Sequence, residues 1–488
     1  MFIHPLYSSR PRLLSFITRA SSLVLCSLFL AGCASTGRVQ QRLAEQMVIG
    51  NYAAAIAIVE AEKTKAYDDE NRLLYYLERG MLLHVDGQYA ESNTAFEEAK
   101  RIGNELYTKS LSDEGLSLMS NDYALDYAGE NFERTLIHLF AAMNYILMQD
   151  SESALVEIRQ VGDYLRKLQI DSSNENVYQE DAFARYLSAL VYESNGEYDS
   201  ALVDYKKALD AYSDYGTHFA VSRPGSLFGN AGRVAQRLGS WATDDLREKG
   251  WDGDAREIPT GTGELVILHY NGLVPIKDQD KFTIPFSEAW LFVAALQLAA
   301  DDDASRDIGR ATAVASLISG VDFVSVAFPK YVDRPYSIAL MEPRVEGATQ
   351  ITGPELVEDI GAIAEKDLAD RIVRIRTKAI ARAAIKYAIQ KGAEIAAEQA
   401  GGDYGALLSL GTSIIGNIAR SASEQADKRV WSTLPDQIWM SSMILPAGSH
   451  DLQVDFVTAQ SILIESREVL NVDIESGGRQ FVILRTVK

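Results

Sequence analysis

A thiol set behind small residues is a candidate for covalent modification, and Cys33 directly follows Leu30-Ala31-Gly32. Ahead of it, Arg10, Arg12 and Arg19 form a positive leader, and Ser22 to Leu30 is an almost wholly apolar run. A charged leader, a short apolar core and small residues make a secretory signal, and the run is too short to span a bilayer as a stable helix. Elsewhere, residues capable of chemistry lack the spacing that chemistry needs. The chain has no HExxH, no GxSxG, no phosphate-binding P-loop and no GxGxxG. His84, His138, His218, His269 and His450 have no second histidine or cysteine at ligand spacing. Asp252 and Asp254 match the start of a calcium loop, but Arg256, Ile258 and Gly263 stand where further ligands and the closing glutamate belong, so a turn is expected. Asp301-Asp302-Asp303 reads as a solvated helix end. Paired carboxylates of the glycan-cleaving kind cannot be picked out among 68 acidic residues. No catalytic residue, metal site or cofactor is assigned.

The stretch Leu30-Ala31-Gly32-Cys33 resembles the lipobox of bacterial lipoproteins. The resemblance implies that residues 1–32 are a signal peptide cut between Gly32 and Cys33, that the Cys33 thiol is diacylated, and that the new amino terminus takes a third acyl chain. Three chains, at about 0.8 kcal/mol per buried methylene, would hold the protein on a membrane essentially permanently. Ala34 stands where an inner-membrane retention signal would place aspartate, which implies sorting to the outer membrane, facing the periplasm.

The leader holds three of the 47 basic residues and none of the 68 acidic ones, so the remaining 456 residues carry a formal net charge of −24. That balance argues against a nucleic-acid partner, because a phosphate backbone needs a concentrated basic surface. The other cysteine, Cys26, lies in the leader, so the mature chain forms no internal disulfide. Packing must supply stability, and a chain this long with 47% hydrophobic residues can build the core.

Residues 33–215 repeat a helical pattern. Leu77, Gly80, Leu83, Gly87, Tyr89, Ser92, Phe96 and Ala99 recur at the same offsets as Tyr186, Ala189, Tyr192, Gly196, Tyr198, Ala201, Tyr205 and Ala208. Another copy keeps Ala142, Tyr145, Ala154, Ile158 and Val161 around Gln149-Asp150-Ser151, and a partial one keeps Gly50-Asn51-Tyr52, Ala55 and Val59. The pattern resembles the tetratricopeptide repeat, in which small residues let two antiparallel helices approach and large ones fill the gap between pairs. The turns fall 37, 62 and 47 residues apart instead of a constant 34, so insertions are expected, or a degenerate repeat around Met119 to Ala128. Such an array makes a curved surface that grips a peptide or helix. Tyr75, Tyr76, Tyr145, Tyr186 and Tyr192 are placed to pack between helices or to line that groove.

The fold expected is mainly α: a tetratricopeptide-like solenoid followed by a C-terminal α+β domain with a small antiparallel sheet. Residues 216–261 read as a linker with a short helix near Leu227 to Gly239, and residues 262–488 as the α+β domain. Glu264 to Tyr270 is a continuous apolar strand, and Asn271-Gly272 after it predicts a hairpin to short strands at Leu273–Ile276 and Lys281–Ile284. A helix from Ser287 to Ala300 and one or two from Glu355 to about Ala400 follow. Four strands from Gln437 to Val487 join the first in one sheet. From Arg371 to Lys391 there are seven basic residues and no acidic one. Of these, Arg371, Arg374, Lys378, Arg382 and Lys386 form a stripe along a helix, suited to a partner or a membrane surface, or else to pairing with acids of the same chain. Tyr404 to Ala419, behind Gly401-Gly402, is an uncharged stretch short for a span and expected to be a buried hairpin partner.

Several segments together resemble a family of poorly characterised proteobacterial lipoproteins. They are Asn121-Asp122-Tyr123 to Phe132-Glu133-Arg134, Ala154-Leu155-Val156-Glu157-Ile158-Arg159, Asn271 to Lys277, Ala381 to Tyr387, and Trp431-Ser432-Thr433-Leu434-Pro435. The resemblance implies location and architecture, and hints at cell-wall regulation. The leading expectation is a non-enzymatic outer-membrane scaffold whose repeats dock a periplasmic or envelope protein, with the lipid anchor as its hold on the membrane. The rivals are a peptidoglycan-binding or -processing protein acting through the C-terminal domain, and a secretion or pore accessory whose segment 371–419 touches membrane.

Overall fold

In the computed structural model the described residues are 33–112, 125–171, 178, 180–297, 312, 315, 322–399 and 425–488. Residues 1–32, where the sequence predicts a signal peptide, Asp301–Asp303, Gly401-Gly402, the stretch Tyr404–Ala419 and most of the segment from Met119 to Ala128 lie outside them.

Helices come in pairs: α1 (Cys33–Val48) with α2 (Tyr52–Ala61), α3 (Arg72–Val85) with α4 (Tyr89–Ser112), α5 (Asn131–Leu147) with α6 (Ser151–Asp171), and α7 (Ala182–Ser194) with α8 (Tyr198–His218). One turn closes the first helix of every pair. Its residue lies in the left-handed region, at φ +70° for Gly50, +82° for Gly87, +61° for Gln149 and +75° for Gly196. The N–H of each bonds back three residues, to Met47, His84, Ile146 and Glu193. The next N–H bonds back five, to the carbonyls of Gln46, Leu83, Tyr145 and Tyr192. This double bond pattern is the Schellman stop, which satisfies the orphan carbonyls of a helix end. Gln149 adopts with a side chain what glycine adopts freely, at a cost of about 1–2 kcal/mol. Glycine gains entropy on unfolding in return, so Gln149→Gly is expected to stabilise the chain by roughly 0.5–1 kcal/mol. A lowered denaturation midpoint for that variant would contradict the shared turn.

Behind the turns the repeated positions are buried. Gly80 lies under the Phe96 ring, where a Cβ would stand 2.4 Å from it, and the Ser92 hydroxyl donates to the Gly80 carbonyl at 2.7 Å. Tyr75, Tyr186 and Tyr192 are buried, and Tyr76 and Tyr145 half-buried. They pack between helices, as aromatic groups with 150–250 Å² to bury tend to do. The array continues into two further helices, α9 (Gly225–Leu238) and α10 (Ser240–Glu248), where the sequence suggests one helix and a linker. Asp252 and Asp254 form a turn, the Asp254 N–H donating to Asp252 Oδ1 at 3.1 Å.

Among the described residues the C-terminal strands divide into three sheets instead of one. Strands β1 (Thr262–Asn271), β5 (Thr349–Asp359), β6 (Gln437–Pro446) and β9 (Arg479–Thr486) pair in the order β5-β6-β1-β9. β1 runs antiparallel to β6 and parallel to β9. Strands β2 (Ile276–Pro285) and β3 (Phe323–Val332) make a separate ribbon, and β4 (Leu340–Arg344), β7 (Gly448–Val457) and β8 (Leu463–Ile474) a third sheet. The hairpin expected at Asn271-Gly272 does not form. Both edges of β1 are taken by β6 and β9, so Gly272, at φ +65°, turns the chain out of the sheet. Burial explains the central place of β1, since a strand with both faces covered reads as a continuous apolar run.

Val266, Leu268 and Tyr270 on one face of β1 share a core with the repeat helices, while Leu265 and Ile267 on the other pack with Leu452, Val454 and Phe456 of the third sheet. The layers are therefore repeat helices, four-stranded sheet, three-stranded sheet. Helix α11 (Phe286–Gln297) and the long helix α12 (Ile360–Gln399) pack with β3 around a smaller core of Phe286, Val293, Val326 and Ala384.

Candidate functional site: the inner face of the repeats

A first helix of a tetratricopeptide-like pair usually shows one face to an open groove. α3 does not: Leu73, Leu74, Leu77, Glu78, Met81, Leu82 and His84 are all buried. The groove is filled by the chain's own segment 425–436 and by the face of the four-stranded sheet. Trp431 is the plug. Its ring is fully buried, edge-on to Phe96 at 5.9 Å and to Phe140 at 6.0 Å between centroids.

Two buried carboxylates on the first helices seize the backbone of this segment. Glu78 accepts from the Ser432 N–H at 3.0 Å and hydroxyl at 2.7 Å, and from the Thr433 N–H at 3.0 Å. Glu133 accepts from the Trp431 N–H at 2.7 Å and the Tyr127 hydroxyl at 2.6 Å. From the other side Arg334 donates to the Ser432 carbonyl at 2.5 Å. Arg429, itself buried, donates to the Leu125 carbonyl at 2.8 Å and pairs with Asp427. An extended segment cannot satisfy its own backbone groups, so the repeats supply the partners that a sheet would otherwise give.

Burial pushes Glu133 up to about 7, helped by the neighbouring charge of Glu130. Its folded pKa is above the usual 4.5, so the stability it contributes is present in acid and fades as pH rises through about 7. In Glu133→Gln that titration is gone. Between about pH 5.5 and 8 the wild type should therefore lose on the order of 2 kcal/mol relative to the variant. Parallel pH profiles in denaturation would remove Glu133 from the explanation.

Two further polar clusters join helices to sheet. Glu193 of α7 accepts from Arg233 of α9 at 2.7 Å and from Arg479 of β9 at 3.0 Å, and Arg479 also donates to Glu264 of β1 at 2.8 Å. Burial opposes ionisation of Glu193, but Arg479 and Arg233 outweigh it and hold the carboxyl at about 2. At the other end Glu130, before α5, pairs with Lys277 of β2 and with Arg371 of α12.

Arg371 thus comes to an acidic partner of the repeats and also pairs with Asp367. Further along the stripe Arg374 is exposed, Lys378 half-buried, and Arg382 and Lys386 are buried. The five cations therefore do not share one open face. Cys33 opens α1. His84 and His269 are buried and bonded to Asn144 and Thr486, and His138 bonds Glu157. Among the described residues no group of three or more His, Cys, Asp or Glu is placed to hold a metal ion, and no helix is long and apolar enough to cross a membrane.

Glu78, Glu133, Arg429, Trp431 and Arg479 are absent from the sequence-derived site. A signal existed for Glu78: it sits within the apolar run from Leu73 to Leu83, where an acid must find buried donors. For Arg479, more than two hundred residues from Glu264 and Glu193, there was none.

No family model matches the chain, and no curated protein matches it in sequence. Among solved structures, MamA is similar at 14% identity, over 42% of this chain and 88% of that one, with a TM-score of 0.26. PlcR of Bacillus thuringiensis, solved with the peptide PapR7 and DNA, is similar at 16% identity over 44% and 67%, with a TM-score of 0.26. A tetratricopeptide repeat protein of Parabacteroides merdae is similar at 13% identity over 45% and 94%, with a TM-score of 0.16. At such scores the repeat assignment rests on the chain's own geometry, above all on its four matching turns.

Proposed function

We propose that the chain is a non-enzymatic scaffold of the bacterial envelope, tethered to the outer membrane through a lipid on Cys33, that offers the outside of its repeat array to a protein partner. One observation carries this reading. The inner face, where an array of this kind takes a peptide, is filled by residues 425–436 and the sheet, so a partner is left the outer side. There α6, α7 and α8 enclose a groove of about 400 Å³, with Arg159, Arg166, Asp199 and Lys207 on its walls and the exposed Val203 beside them. A mixed-charge wall around a few apolar side chains suits a protein surface, with the charges setting orientation.

The test is a photo-crosslinking residue placed in the full chain at Val203 or Val156, both exposed on second helices of the array. Adducts with an envelope protein are expected from these sites. Irradiation that yields no protein adduct from either position would overturn the docking role.

A further inference from the structure

α1 begins at the residue that the lipobox resemblance makes the lipid carrier, and three residues on, Thr36 borders a cavity of about 440 Å³. Three helical residues advance only about 4.5 Å, so the cavity lies within reach of anything attached to Cys33. Its walls come from α1, β2, the end of β3 and the segment 425–429. Ala44, Ile276, Val332 and Ala426 line it among charged residues, Lys277, Asp278, Arg334, Lys428 and Arg429, whose stems can add carbon to the wall. On the α1 side two donors are left over. Thr36 Oγ1 and Gln40 Nε2 stand one turn apart on the same helix face, buried from solvent and without a hydrogen-bond partner among the described residues. Gly37 between them also borders the cavity, with open space where a Cβ would stand.

We infer that this cavity receives one acyl chain of the lipid on Cys33, with Thr36 Oγ1 and Gln40 Nε2 donating to the ester or amide carbonyl oxygens at the head of the chain. The inference rests on the lipid anchor proposed above. A cavity whose surface is mostly carbon, with two unpartnered donors on residues of one wall, is matched by a ligand with an apolar tail and acceptors at one end. Seating one chain leaves two for the bilayer, which still suffice for stable anchoring. It also ties α1 to the membrane without a flexible spacer, so the tether sets how the array stands on the surface.

The experiment labels the full-length protein in cells with a diazirine-bearing fatty acid, irradiates the membranes and maps the modified peptides by mass spectrometry. Adducts are expected within residues 36–44, 276–278 or 425–429. Gly37→Phe fills the open side and should abolish those adducts while leaving the Cys33 label, and it removes no helix-forming residue. Label on Cys33 with adducts to lipid alone would overturn the cavity and leave the anchor standing. No label on Cys33 would overturn both.

Discussion

Trp431→Ala is expected to destabilise the chain by about 3–5 kcal/mol, the range for truncating a large buried aromatic side chain. The ring is fully buried and meets Phe96 of α4 and Phe140 of α5, so its loss opens a cavity at the point where two helical pairs and the C-terminal segment converge. Relaxation into that space is limited. The backbone on either side is pinned by Glu133 at Trp431 and by Glu78 at Ser432 and Thr433. The repeats and the four-stranded sheet share one core, so the helical and sheet signals should fall together in chemical denaturation. An unchanged midpoint would show that the segment is an accessory. A helical signal that kept its midpoint while the sheet melted early would show that the array folds alone.

Arg479→Ala is expected to cost a similar 3–5 kcal/mol, for an electrostatic reason. The guanidinium, 3% exposed, lies between Glu193 of α7 and Glu264 of β9's neighbour β1, at 3.0 and 2.8 Å. Its removal leaves Glu264 with Arg256 at 3.6 Å and Glu193 with Arg233, in a place where water does not replace the lost charge. The pH dependence separates this from simple loss of packing. In the wild type Glu193 is held at about 2 against the usual 4.5, so the stability it contributes is present above about 4.5 and lost as pH falls toward 2. In the variant the carboxyls protonate more readily, so the penalty should shrink as pH falls below about 4.5 toward 2. A penalty independent of pH would assign Arg479 a packing role only.

Both substitutions strike contacts between the repeats and the C-terminal layers, and the core they disturb includes residues from Val39 to Val487. Deleting residues 40–215 would therefore strip β1 of one of its two packed faces. Partner searches need the whole chain.

Much of the helical array was legible in the sequence. Glycine at Gly50, Gly87 and Gly196 marks turns that need a left-handed residue, and small residues at Gly80, Ser92 and Ala99 mark close helix approach. These are local demands, and a local pattern records them. The strand from Glu264 to Tyr270 was legible too, because burial on both faces leaves an unbroken apolar run. Its partners were not. An Asn-Gly turn signals a hairpin only when the strand has a free edge, and distant β6 and β9 had taken both.

The same division runs through the candidate site. Residue types and spacing alone gave the lipobox-like sequence around Cys33, the recurring repeat positions and the lack of a catalytic motif, since each is a matter of neighbours along the chain. Tertiary structure decided what the repeats grip. Glu78 and Glu133 are ordinary helix residues until Trp431, Ser432 and Thr433 bring backbone donors to them from about three hundred positions away. Hydrogen-bond satisfaction in a buried site depends on which segments meet there, and chain order does not encode that meeting in any short window.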